Sequence, residues 1–144
     1  MTTFRLDSRL QSDTHHLGYF KGLHLLLMNN SRVPWFILVP ETEKTELFEL
    51  SLELQETCME AVRLLSSFVK GTLKADKLNI AAIGNVVSQL HIHVVGRFEG
   101  DFCWPNPVWG QPGATPWSEV DVQEMKAALL KAFPATYKDA DHSA

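Results

Sequence analysis

The apolar residues of this chain change their spacing several times, and each change marks an element. Leu6 and Leu10, four apart, fit a short helix or an irregular arm over residues 4–13. A nearly continuous apolar stretch from Tyr19 to Met28 predicts a strand, and Asn29-Asn30-Ser31 has the chemistry of a turn. Trp35-Phe36-Ile37-Leu38-Val39 predicts a second strand, bounded by Pro34 and Pro40, neither of which can donate to a ladder. From Leu47 the period becomes helical: Leu47, Leu50, Leu54, Cys58, Ala61, Leu65 and Phe68 recur at intervals of three and four, forming one buried stripe. Ser51 interrupts the stripe as a local cap, which predicts a short helix and then a long one ended by Gly71. Residues 78–83 predict a further strand, Gly84-Asn85 a turn, and residues 86–98 contain another strand. Ser118 with Asp121 fits a helix start, and Val122, Met125, Leu129 and Phe133 give a last helix stopped by Pro134. The expected fold is α+β: an antiparallel sheet of about five strands, one long helix packed across it and a C-terminal helix. Residues 1–134 make one domain on this reading, and 135–144, with weak packing signals, a flexible tail.

Residues 99–117 follow neither period. Four prolines, three glycines and three tryptophans there predict an ordered loop whose indoles pack against this subunit, a partner subunit or a ligand. A length of 144 residues suffices to bury a core without staples, and Cys58 and Cys103 form no CxxC pair, so reduced thiols are expected. Lys and Arg number 13 against 17 Asp and Glu, and the cations are scattered, which argues against a nucleic-acid partner. No apolar run approaches the roughly 18 residues of a membrane span, and the first residues have no signal-peptide core, so a cytoplasmic protein is expected.

The candidate chemistry lies in Gln89-Leu90-His91-Ile92-His93-Val94-Val95. In a strand, alternate side chains share a face, so Gln89, His91, His93 and Val95 are expected together. Two imidazoles side by side fit three readings: a satisfied buried polar pair, half of a metal site, or a nucleophile with the neighbour that fixes its tautomer. A metal would need further ligands from His15, His16, His24 or Asp13, and nothing in the sequence places them nearby.

Gly84-Asn85, followed by Val86-Val87-Ser88-Gln89-Leu90-His91-Ile92-His93-Val94-Val95-Gly96-Arg97, resembles the signature of the histidine triad superfamily, three alternating histidines separated by hydrophobics. Asn29, the strand Val33–Pro40 and the helix over 47–69 follow in that superfamily's order, so the resemblance covers residues 17–98 or so. It implies a hydrolase or transferase acting at the α-phosphorus of a nucleotide phosphoanhydride or phosphoramidate through a covalent nucleotidyl-histidine. His91 then matches the nucleophile and His93 the histidine that holds and polarises it. Asn85 matches an amide that contacts phosphate, Asn29 a residue near the nucleoside, and Trp35 stands where many members carry a further histidine near the phosphate. Gln89 replaces the first histidine of the triad; its amide can bond a phosphate or leaving-group oxygen but cannot exchange a proton near neutral pH. The resemblance also implies a homodimer, for which the tryptophan loop offers candidate anchors, a nucleotide-type small molecule as partner, and neither a metal nor another cofactor. Arg97 lies four residues beyond His93, about 13 Å along a strand, which favours a structural or solvated role over phosphate binding. A nucleotide-binding or dimeric scaffold protein without turnover is the alternative that Gln89 keeps open.

Overall fold

The computed structural model describes residues 3–141. Its elements in chain order are α1 (Ser8–Asp13), β1 (Thr14–Phe20), β2 (Leu23–Met28), β3 (Trp35–Val39), α2 (Leu52–Gly71), β4 (Lys77–Ala81), β5 (Ile92–Arg97), α3 (Glu119–Ala132) and β6 (Tyr137–Asp139), with a 3-10 turn at Leu47–Glu49. The strands form one six-stranded antiparallel sheet in the order β4-β5-β3-β2-β1-β6.

Two differences take the four strands placed in the sequence, within an expected sheet of about five, to six. The apolar run that reads as one strand over Tyr19–Met28 is folded back on itself. Lys21 and Gly22 both have positive φ, 54° and 80°, as a tight two-residue hairpin turn requires, and Phe20 faces Leu23 across it. A reversal of two residues inside an apolar run leaves the hydrophobic pattern almost unbroken. The second difference is at the end of the chain, where Tyr137–Asp139 adds an edge strand to β1 in place of the flexible tail expected from residue 135. Tyr137 is buried, and its hydroxyl donates to the Leu17 carbonyl at 2.7 Å. Gly18, at φ 141°, admits this strand: a Cβ there would collide with the Lys138 carbonyl oxygen and lie 2.8 Å from the Ala140 nitrogen. The last part of that expected tail, residues 142–144, lies outside the described residues.

Alternation sorts each central strand between two layers. Leu25 and Leu27 of β2, Phe36 and Leu38 of β3, and Ile92 and Val94 of β5 face one layer. There they meet Cys58, Ala61, Leu65 and Phe68 of α2, together with Val122, Met125 and Leu129 of α3. The Ser51 hydroxyl caps α2 by accepting from the Leu54 amide at 3.1 Å, and Ser118 caps α3 through Asp121, also at 3.1 Å. Leu26, Trp35, Ile37, Val39 and Val95 face the other layer and pack with Leu10 of α1 and Val108 of the 99–117 loop. That second layer holds the histidines.

Candidate active site

His93 is the second residue of β5, paired with Ile37 of β3 on one side and Ala81 of β4 on the other. His91 immediately precedes the strand, and the two rings meet edge to face with centroids 4.9 Å apart. Both are largely buried, and each makes one hydrogen bond within the protein that fixes its ring.

Those bonds assign the protons. His91 Nδ1 lies 2.6 Å from the Gln89 backbone carbonyl oxygen, which can only accept, so Nδ1 carries a proton and the lone pair of the neutral ring is on Nε2. The Trp35 indole N–H, which can only donate, lies 2.9 Å from His93 Nδ1. A neutral His93 therefore carries its proton on Nε2. Burial, and then the neighbouring His91, pull the His93 pKa down to about 3, so the ring is neutral at physiological pH.

The two imidazoles line a cavity of about 380 Å³, with Asn85 at the β4–β5 turn, Met28, Ile37 and Trp109 also in its wall. A neighbouring cavity of about 360 Å³ is lined by Asn29 and Trp35, and both cavities have Asp13, Met28 and Gly110 in their walls. Asn29 is held in place: its side-chain oxygen accepts from the Trp117 amide at 2.9 Å and lies 3.0 Å from His15 Nε2. Thus His91, His93 and Asn85 share one cavity, and Asn29 and Trp35 line the next.

Gln89 lines neither of these two cavities. Like His91, it lies ahead of the strand, which begins at Ile92. Its side-chain oxygen accepts from the Asp7 amide at 2.9 Å and its nitrogen donates to the Arg5 carbonyl at 2.9 Å, so the whole amide is bound to the N-terminal arm. Trp35 reaches the site through His93, as a donor that orients it, because its buried indole N–H is already committed.

Two of the three indoles of the 99–117 loop pack within the subunit. Trp109 stacks edge to face on His93 and on Trp35, with centroids 5.3 and 5.9 Å away, and Trp117 donates from its indole to the Met28 carbonyl at 3.0 Å. These two indoles therefore anchor the loop to its own sheet. Arg97 starts it: its guanidinium makes two bonds to Asp101, at 2.8 and 3.1 Å, and one to Asn79 at 3.0 Å, with only 2% of either charged side chain exposed. Burial alone would raise the Asp101 pKa, but bonds from Arg97 and from the Phe98 and Cys103 amides lower it to about 2. Arg97 is thus structural. Its partner and the wall residue Trp109 carry no motif; only the density of tryptophan and proline hints at them in the sequence.

His16 and His24 lie apart from the His91–His93 cavity. His16 Nε2 lies 3.0 Å from His24 Nδ1, and His24 Nε2 lies 3.1 Å from a Glu41 oxygen, a relay on the β1–β2 side of the sheet. Among the described residues no group of three or more His, Cys, Asp or Glu side chains is placed to hold a metal ion. No helix among them is long and apolar enough to cross a membrane.

Comparison with known proteins adds the family. No match was found among curated proteins. A histidine triad protein from Sinorhizobium meliloti 1021 has a similar solved structure, 41% identical, with a TM-score of 0.87 over 92% of this chain and 98% of that one. Another from Marinobacter aquaeolei VT8 is 38% identical, with a TM-score of 0.88 over 94% and 99%. A third, from Bradyrhizobium japonicum, is 36% identical, with a TM-score of 0.86 over 91% and 98%. The model of the HIT domain matches residues 9–100, so a sheet carrying two oriented imidazoles coincides with a match over most of the chain, and this protein belongs to the HIT family.

Proposed function

We propose that the protein hydrolyses or transfers a nucleotide at its α-phosphorus through a covalent nucleotidyl-His91. The observation that carries this reading is the His91 Nδ1 bond to the Gln89 carbonyl, which puts the lone pair of the neutral ring on Nε2, on a cavity wall. An imidazole in that tautomer is a nucleophile without a separate base. His93, neutral and fixed by Trp35, presents an Nε2–H beside the reacting ring, a donor suited to a non-bridging phosphate oxygen as negative charge builds there. Asn85 adds an exposed amide for phosphate from the same wall, and the neighbouring cavity with Asn29 suits the nucleoside.

The reading extends to a homodimer. Edge strand β4 and the outer side of α2 leave Ile80, Leu52 and Met59 exposed around an apolar cavity of about 460 Å³, a surface suited to a second copy. The test of the reaction is intact mass after incubation with nucleotide phosphoramidates, dinucleoside polyphosphates and nucleotide sugars. Wild-type protein should gain one nucleotidyl unit or release monophosphate. His91→Ala should form no adduct and lose at least ~10³-fold in turnover. An His91→Ala variant that keeps a tenth of the wild-type rate refutes the assignment.

A further inference from the structure

Among the described residues, Arg9 is the one cationic side chain in the wall of the His91–His93 cavity. Its guanidinium makes no hydrogen bond or ion pair with any described residue. Its backbone, in contrast, is tightly held. The Asp7 carboxylate caps α1 by accepting from the Arg9 amide at 2.8 Å and the Leu10 amide at 3.4 Å. Leu10 is buried against the Leu26 and Ile37 layer, which fixes the helix on the sheet. Ahead of the cap, the two bonds from Gln89 to Arg5 and Asp7 clasp the arm from a residue more than 80 positions away. The residue that replaces the first triad histidine therefore holds the element that carries the cation.

We propose that Arg9 binds the anionic leaving phosphate of the substrate, that Gln89 is its positioning residue, and that the pair selects phosphoanhydrides over phosphoramidates. This rests on the reaction proposed above. As His91 Nε2 forms its bond to the α-phosphorus, the bond to the leaving atom breaks and its electron pair departs on that atom. An amine must take a proton to leave, and the Gln89 amide has none to give and faces the arm. A phosphate leaves as an anion on its bridging oxygen and needs positive charge instead. Arginine supplies that charge at every working pH, in a planar fork that fits phosphate oxygens. In the second step a water oxygen bonds to phosphorus as the N–P bond breaks. The pair returns to Nε2 and the water's proton passes to solvent.

Asp13 sets the direction of binding. It is the acid in the same wall, four residues after Arg9 and so about 6 Å further along the helix. A carboxylate repels phosphate and accepts from hydroxyls, and Asp13 also borders the cavity that holds Asn29. The nucleoside hydroxyls belong at the Asp13 end and the leaving phosphate at the Arg9 end.

The test compares kcat/KM for diadenosine tetraphosphate and adenosine 5′-phosphoramidate in wild type, Arg9→Gln, Arg9→Lys, Gln89→Ala and the Gln89→Ala/Arg9→Gln double variant. Arg9→Gln should lose at least ~10-fold on the tetraphosphate and no more than ~3-fold on the phosphoramidate, since only one leaving group engages the cation. Arg9→Lys should recover part of that loss. Gln89→Ala should show the same selective loss, and the double variant should add no more than ~2-fold to Arg9→Gln, because one residue acts through the other. Equal losses on both substrates, or none on either, overturn the proposal. A second measurement does not depend on turnover. Calorimetry should show wild type binding ADP at least ~5-fold more tightly than AMP, and Arg9→Gln losing that preference. Wild type that keeps the preference but forms no His91 adduct would refute the reaction and support the phosphate site. Wild type that forms the adduct without the preference would refute Arg9 alone.

Discussion

Replacing Asp101 by asparagine removes one charge from a buried ion pair and tests whether the tryptophan loop depends on it. The carboxylate accepts from Arg97 Nε and Nη2 and from the amides of Phe98, Cys103 and Trp104, all between 2.8 and 3.2 Å. Asparagine offers one acceptor and turns an NH₂ toward donors, so the Arg97 guanidinium stays buried with its counter-charge gone. Breaking a buried pair from one side costs about 3–5 kcal/mol. The pH dependence follows from the Asp101 pKa, lowered to about 2 from an ordinary 3.8. A depressed carboxylate pKa contributes stability that is complete above about pH 4 and fades as pH falls toward 2. About 2 kcal/mol is at stake, of which about 1 kcal/mol is gone by pH 3. Urea unfolding of both proteins between pH 7 and pH 3 measures the gap. It should be about 3 kcal/mol or more at neutral pH and narrow by about 1 kcal/mol at pH 3. A neutral-pH gap under about 1 kcal/mol, the value of an exposed pair, would show that the Arg97–Asp101 pair does not hold the loop.

Three further outcomes test other parts of the molecule. Trp35→Phe removes the donor that fixes the His93 tautomer and leaves a buried acceptor unpaired, costing about 1–3 kcal/mol. Nitrogen NMR of His93 should show mixed tautomers with turnover down roughly tenfold, and an unchanged tautomer would refute that role for Trp35. His93, with its pKa lowered to about 3, stays unprotonated in the folded protein while the unfolded chain takes up its proton through pH 6.5. Stability should therefore fall from pH 6.5 toward pH 5, and His93→Asn should flatten that fall; parallel curves for the two proteins would count against it. Tyr137→Phe deletes the bond to the Leu17 carbonyl and should cost about 1 kcal/mol, with faster amide exchange in β6 and none of that increase in β3. Exchange that is unchanged in β6 would mean the hydroxyl does not hold the strand.

Much of the fold can be read from the sequence because its signals are local. The stripe from Leu50 to Phe68 has one period and a cap at Ser51, and α2 follows it from Leu52 to Gly71. The proline-bounded run at 35–39 is β3 residue for residue. The Lys21–Gly22 reversal is harder to see, because two residues barely disturb an apolar run. Strand β6 is harder still, since Tyr137 is secured by Leu17 and Gly18, residues about 120 positions away. The site divides in the same way. Alternating histidines and the strand period place His91 and His93 together. Which nitrogen each ring leaves free depends on the Gln89 carbonyl and the Trp35 indole, contacts made when β3 pairs with β5 and the chain turns into the strand. Gln89 shows the limit most clearly. The period of two groups its amide with the imidazoles, and only the folded chain shows that its oxygen and nitrogen are both taken up by the N-terminal arm, at Asp7 and Arg5. Hydrophobic spacing is recorded along the chain, but the partner of a polar side chain is chosen across it, by whichever distant backbone groups folding leaves to be satisfied.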